Sequence, residues 1–399
     1  MRFEHASIPL GGAWSSPFTR WQGSLAEVNA LDLAVDVTSR ALDERQVDRD
    51  RIERLVLGWT VPQPGSFYGA PTVAARLGLP GVTGPMLSQA CATSAICLEH
   101  AAAGIEQGEA GLTLVLATDR TSNGPLLLHP APSSAGGAPS TEHWVLDNFQ
   151  ADPNTGQSML QTAENVAEEI GVTREELDEV TLLRYRQYDQ ALAHDRAFQK
   201  RYFVPAALPG RKRGVPQRLV EADEGIFPTS AEGLAALKPV LPEGVVTFGM
   251  QTHPADGTAG ALVTTEEQAR QLSQGEGVAR ILGSGVARAE KARMPKAPVP
   301  AARKALAAAG LTFADVDLVT THNPFAVNDV YFHRESGIPL ERMNVYGCSL
   351  VWGHPQGPTG LRAIAELIET LRLRGGGIGL FTGCAAGDTG AAIVLRVGD

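Results

Sequence analysis

Only four cysteines occur in 399 residues, Cys91, Cys97, Cys348 and Cys384, and no CxxC pair is among them. So sparse a set excludes a disulfide scaffold and the paired-cysteine spacing of a structural zinc site, leaving the thiols free for chemistry or for core packing. Long apolar runs are missing as well: nothing approaches the ~18 consecutive apolar residues of a membrane span. The opening MRFEHASIPLGGAW lacks the charged-then-apolar pattern of an export leader, so a cytoplasmic protein with no membrane partner is expected. A basic surplus is also lacking. Lys and Arg number 34 against 44 Asp and Glu, a formal charge of -10, whereas binding a phosphate backbone needs a broad basic face; no nucleic-acid partner is expected. The glycines of RGGGIG precede a strand instead of following one, so the strand, glycine turn, helix order of a dinucleotide fingerprint is not met.

What is present is ordinary for a soluble globular chain, with 43% hydrophobic and 20% charged residues and length enough for two or three domains. Residues 24–43, behind Ser24, carry apolar positions at helical spacing, and RLVLGW (54–59) reads as a buried strand. A helix is expected from about Ala92 to Gln107, followed by the strand LTLVLATD (112–119). From about 120 to 250 the texture changes. TSNGPLLLHPAPSSAGGAPS has no period and reads as a surface loop. TAENVAEEIG and TREELDEVTLLRYRQYDQAL read as helices, the second opened by a capping box from Thr173 to Glu176. AEGLAALKPVL reads as a helix and VVTFGM as strand-like. Helix and strand alternation then resumes to the C-terminus, the grammar of an α/β fold. Each flank supplies a helix behind a turn rich in small residues, QACATSA or GHPQGPTG, and then a short apolar strand, so an internal duplication is plausible.

Four residues stand where chemistry is done. Cys91 lies where a loop gives way to a helix, so backbone N–H groups and the positive helix end favour its thiolate; the competing reading is a small buried residue, as for Cys97. His354, in VWGHPQGPTG, sits at a helix entrance and suits the base for a thiol, or is a loop histidine bonded to backbone. His322 follows the apolar strand DLVTT, where α/β proteins build sites, or is a satisfied core histidine. Cys384, in GLFTGCAAGDTGAA, ends a strand in a turn that lets amides approach closely, or merely fills a hairpin. His129, His143 and His194 read as surface residues.

Together these blocks resemble the thiolase family, the acetyl-CoA acetyltransferases and 3-ketoacyl-CoA thiolases. SSPFTRWQGSLAEVNALDLA resembles the family's opening segment, QACATSAICLEHAAAGIEQGEAG its nucleophilic-cysteine helix, and SMLQTAENVAEEIGVTREELDE its loop-domain signature. HNPFAVND, NVYGCSLVWGHPQGPTGLR and GLFTGCAAGDTGAAIVL follow in the family's order, so six collinear blocks span residue 10 to the C-terminus. The histidine of HNPF is nearer the sterol-carrier-type thiolases. Three departures stand out: Ala386 where many members have glycine, Cys348 and Ser349 after Gly347, and Trp352 ahead of the histidine block.

The resemblance implies a duplicated five-layered α-β-α-β-α core with an inserted loop domain: residues 1–119 and 251–272 as the N-terminal half, 120–250 as the CoA-binding insertion, and 273–399 as the C-terminal half. It implies that Cys91 takes an acyl group from coenzyme A, that His354 deprotonates it, that Cys384 handles the proton at the substrate α-carbon, and that His322 forms part of an oxyanion site. Thr252 and Met159 would contact the pantetheine arm, and Arg211 and Arg213, with Lys212 and Arg218, the nucleotide phosphates. CoA and acyl-CoA are then substrates, with no tightly bound cofactor and no metal, in a homodimer or homotetramer. The alternatives are a related synthase or acyltransferase with another second substrate, and a non-catalytic acyl-CoA or lipid carrier. A papain-like hydrolase would leave the second thiol idle.

Overall fold

The computed structural model describes residues 1–208 and 218–398. Strand β1 (Ala6–Pro9) is followed by helix α1 (Ala30–Glu44), strand β2 (Arg54–Gly58), helix α2 (Gly69–Arg76) and the short strand β3 (Met86–Leu87). Helix α3 (Thr93–Glu106) then leads into strand β4 (Leu112–Arg120). Helix α1 starts later than its apolar spacing suggests. Asn29 caps it by accepting from the Leu31 N–H, while Ser24 is diverted to the Glu224 carboxylate and the residues between form consecutive turns.

The inserted stretch opens with an exposed hairpin, β5 (Leu126–His129) and β6 (Ser140–His143), where the sequence suggested an unpaired loop. Helices α4 (Met159–Ile170) and α5 (Arg174–Arg196) follow, and the capping box at Thr173 is formed. AEGLAALKPVL yields only one turn and a half of helix, Ala231–Ala235. VVTFGM is not a strand: the Val245 and Val246 N–H groups donate to the Glu164 carboxylate, and Phe248–Met250 is a 3-10 turn. A β-branched run whose amides are captured by a side chain has none to offer a sheet.

Strand β7 (Ala255–Thr265), helix α6 (Glu266–Leu272) and strand β8 (Val278–Arg288) return the chain to the core. They are followed by helix α7 (Pro298–Ala308), strand β9 (Leu318–His322), helix α8 (Ala326–Ser336), helix α9 (Thr359–Leu373), strand β10 (Gly377–Ala385) and strand β11 (Thr389–Val397).

Hydrogen bonding runs in the order β9-β10-β11-β8-β1-β7-β4-β2-β3. About the β8-β1 junction the two sides match. With the short edge strand β3 set aside, each runs outward through its first, last, third and second strand: β1-β7-β4-β2 on one side and β8-β11-β10-β9 on the other. The senses match too, with two antiparallel pairs and then a parallel one in each. Helices α1 and α2 cover the outer face of the first side, α7 covers the outer face of the second, and α3 and α9 lie between the two, giving five layers. Apolar side chains of α3 and α9, with inward residues of both strand sets, make the central core.

Helix α9 is buried on every side from Thr359 to Leu371, so its charged residues need partners. Arg362 supplies two hydrogen bonds to Asp223 of the insertion, at 2.7 and 2.8 Å, and Tyr202 donates to Glu366 at 2.6 Å. The guanidinium also sits 4.1 Å from the Trp352 ring centroid. The insertion is thereby fastened to the middle layer. Its helices α4 and α5 share an apolar cluster with Phe325, Val327, Val330 and Cys384.

Candidate active site

Cys91 precedes α3 by two residues, presented by a turn that places Ala90 at φ 44°. Thr93 holds that turn, accepting from the Gln89 N–H at 2.9 Å and donating to the Ala90 carbonyl at 2.7 Å. The Cys91 Sγ lies 3.0 Å from His354 Nε2. The other nitrogen of that ring, Nδ1, is 2.7 Å from Thr359 Oγ1 on the first turn of α9. The His354 backbone pairs with His253 and Ala255, and Gly353 takes φ 91° where a Cβ would come within 2.6 Å of the His253 ring. Asp119, at the end of β4, accepts from the Thr60, Val61 and Gly357 N–H groups and from the Thr60 hydroxyl at 2.8 to 2.9 Å, so it clamps the turn after His354.

His322 ends β9 and stacks on His354 with ring centroids 3.9 Å apart and planes 22° from parallel. One nitrogen of each ring and the Cys91 sulfur lie within 4.8 Å of one another. Cys384 is fully buried, receives the Asn328 amide N–H at 3.3 Å, and directly follows Gly383, the residue of β10 that pairs with His322. The four residues singled out from the sequence therefore meet at one place. Cys97 packs under β2 and Cys348 under Asn323, both in the core.

Burial decides the protonation states. It pushes the Cys91 thiol up to about 12, although the N–H groups of Ala386 and of Cys91 itself pull the other way. Burial takes His322 down to about 3, and burial plus the neighbouring His322 holds His354 well below the ordinary imidazole value. The resting pair is a neutral thiol facing a neutral imidazole, not the thiolate that the helix terminus alone suggested. Desolvation outweighs the amides and the dipole. Burial likewise raises the Cys384 thiol far above its ordinary value, so it too rests protonated.

A cavity of about 340 Å³ opens onto Cys91, His354 and Ala386, with Phe149, Met159, Leu160, Met294 and Phe325 among its apolar walls. Met159 and Thr252 both line it, but the Thr252 hydroxyl already donates to the Ser349 carbonyl at 2.5 Å. Arg211 and Arg213 lie outside the described residues. Arg218 is exposed and its guanidinium reaches Ser24 at 3.4 Å, not the cavity. Two hollows of 420 and 510 Å³ elsewhere on the surface have no cysteine among their lining residues, so size alone does not mark the site. Sequence reasoning missed Asp119, Asn328, Ser349 and Thr359. Only Asp119 carried a local signal, a carboxylate at the end of an otherwise apolar strand.

The sequence profile of the thiolase N-terminal domain matches residues 11–267, and that of the thiolase C-terminal domain matches residues 276–397. An acetyl-CoA acetyltransferase of Escherichia coli is 31% identical over 385 residues, covering 94% of this chain and 95% of the relative. A beta-ketoadipyl-CoA thiolase of Acinetobacter baylyi is 30% identical over 393 residues, covering 96% and 97%. The crystal structure of human mitochondrial 3-ketoacyl-CoA thiolase superposes with a TM-score of 0.89 at 26% identity, over 98% of this chain and 99% of that one. With its thiol and imidazole in contact at the floor of an apolar cavity, and with both halves matched, this chain belongs to the thiolase family of acyltransferases.

Proposed function

We propose that the chain transfers acyl groups between CoA thioesters by a two-step route through an acyl-Cys91 intermediate, cleaving 3-ketoacyl-CoA with CoA or running the reverse Claisen condensation. The observation that carries this reading is the 3.0 Å contact between Cys91 Sγ and His354 Nε2 beside the cavity. His354 Nε2 takes the thiol proton as sulfur attacks the thioester carbonyl. The C–S bond to CoA then breaks, and CoA leaves with the proton that His354 returns. The N–H groups of Cys91 and Ala386, which already face the sulfur, suit the oxygen of the acyl-enzyme's tetrahedral intermediate, an effect of about 3 to 4 kcal/mol per donor in other acyl transfers. In the condensation direction the Cys384 thiol first passes its proton to His354, neutral again once CoA has left, and the Cys384 thiolate then removes the α-proton of a second acyl-CoA. The resulting carbanion attacks the acyl group on Cys91, and the proton held on His354 goes back to the Cys91 sulfur when that sulfur departs. In thiolysis the protonated Cys384 thiol returns that proton to the leaving carbanion.

His322 supplies a donor for the enolate oxygen. Thr252 and Met159 border the pantetheine path, and Arg211 and Arg213 take the nucleotide phosphates. Residues 120–250 act as the CoA-binding insertion between the two parts of the N-terminal half, 1–119 and 251–272, with 273–399 as the C-terminal half. The reading extends to a cytoplasmic homodimer or homotetramer that holds no tightly bound cofactor.

A second reading is an acyltransferase that uses Cys91 with a different second substrate. It is favoured by Cys384 lying fully buried, off the cavity lining. Steady-state cleavage of acetoacetyl-CoA, compared with longer and branched 3-ketoacyl-CoA esters, separates the two. Turnover of any of them supports the first reading, whereas acylation of Cys91 by acyl-CoA with no cleavage of any supports the second.

A further inference from the structure

His322 Nε2 is buried and has no hydrogen-bond partner among the described residues, so the atom nearest the chemistry is the one whose proton the fold leaves unassigned. The answer lies on the far side of the ring. Nδ1 is 2.9 Å from Ser349 Oγ, and Ser349 is itself fully buried. That hydroxyl accepts from the Asn323 N–H at 3.2 Å and has one hydrogen to give. Two acceptors compete for it, His322 Nδ1 at 2.9 Å and Asn323 Oδ1 at 3.2 Å. Asn323 Oδ1 is already reached by the Leu350 N–H at 3.4 Å, and its orientation is set because Asn323 Nδ2 must donate to Asp329 Oδ2 at 2.6 Å. Asp329 is in turn fixed by Arg184 at 2.7 Å. The nearer and otherwise unsupplied acceptor is the imidazole.

We propose that Ser349 is a positioning residue that donates its hydroxyl hydrogen to His322 Nδ1, so that the ring carries its own hydrogen on Nε2 and presents a donor beside Cys91. Were the hydroxyl turned to Asn323, Nδ1 would hold the hydrogen and Nε2 would offer a lone pair, which repels a developing oxyanion. Burial keeps the ring neutral, so the choice of tautomer, and not of charge, decides what Nε2 does. The use made of that donor rests on the acyl-transfer reading above; the tautomer does not.

The test is nitrogen NMR of the full-length protein labelled with 15N-histidine, with the His322 signals assigned by their loss in His322→Gln. The expected wild-type spectrum has a protonated Nε2 and a bare Nδ1. Ser349→Ala should shift signal toward protonated Nδ1 and lower kcat for condensation about tenfold to a hundredfold, with KM for acetyl-CoA and acetylation of Cys91 within about twofold of wild type. Ser349→Thr, which keeps the hydroxyl, should restore the wild-type tautomer. A bare Nε2 in the wild-type protein overturns the proposal, whether or not the enzyme turns over. So does a folded Ser349→Ala whose His322 keeps the wild-type tautomer, whereas an unchanged kcat with the tautomer moved counts against the catalytic use of the donor. Absence of turnover in the wild type, with Nε2 protonated, counts against the acyl-transfer reading alone.

Discussion

The two sides of the sheet use the same strand order for opposite ends. In the first, β4 carries Asp119 as the eighth of its nine residues; in the second, β10 carries Cys384, also the eighth of nine. Their antiparallel partners match as well, Gly257 opposite Asp119 and Gly390 opposite Cys384. The position two residues before the middle-layer helix is Cys91 ahead of α3 and Gly357 ahead of α9. Where one half places a cysteine, the other places a backbone N–H, and where one half places a buried carboxylate, the other places a thiol. Asp119 and Gly357 bond to each other at 2.8 Å, so the pair of positions without cysteines forms the clamp that holds the turn of His354. The duplicated scaffold thus brings two helix entrances together, and divergence divides chemistry from support.

That division can be broken most severely at Cys91. Cys91→Ala should abolish turnover, a fall of at least about 10⁴-fold, because the acyl-enzyme step has no other nucleophile; steady-state assay checks it. Cys384→Ala should leave acylation of Cys91 intact while condensation falls by about 10³-fold or more, a split visible when the half-reaction is followed by mass spectrometry and the full reaction by product formation. His354→Asn should slow alkylation of Cys91 by iodoacetamide at pH 7 by about 10² to 10⁴ and steepen its rise with pH, since hydroxide must then take the thiol proton. Equal alkylation rates in the two proteins would show that the sulfur is already ionised.

Asp119→Asn tests the support side. Loss of an acceptor for buried N–H groups should cost about 2 to 3 kcal/mol near pH 5. Burial raises Asp119 to about 7, so the folded state binds more protons than the unfolded one between the ordinary carboxylate range and pH 7. Wild-type stability from this group is therefore lost as pH rises through that window, and the difference in melting temperature from Asp119→Asn should narrow from pH 5 to pH 8. A gap that widened would contradict the assignment. The smallest effect is expected from Thr359→Val, which frees Nδ1 of His354 and should lower kcat about tenfold with KM little changed.

The sequence made the four candidate residues legible because each sits in a short segment with its own punctuation: small residues before α3, Gly and Pro around His354, a glycine-rich turn after Cys384. The strand and helix alternation was legible for the same reason, since apolar period and turn residues are local. The supporting residues were not. Asp119 belongs to the site only because Gly357 folds back onto it across 238 positions of chain. Asn328 and Ser349 matter through contacts whose partners lie 56 and 27 residues away. VVTFGM misled because propensity cannot anticipate that Glu164 takes its amides. The charge state of Cys91 was misjudged because a helix terminus is visible in a sequence and desolvation is not.

Everything in the proposed chemistry passes through an acyl group on one sulfur. Incubation of the wild-type protein with acetyl-CoA, followed by peptide mass spectrometry, should find a single acetyl adduct on Cys91 and none on the buried Cys97, Cys348 or Cys384. An unmodified protein, or an adduct on any other cysteine, would contradict the account.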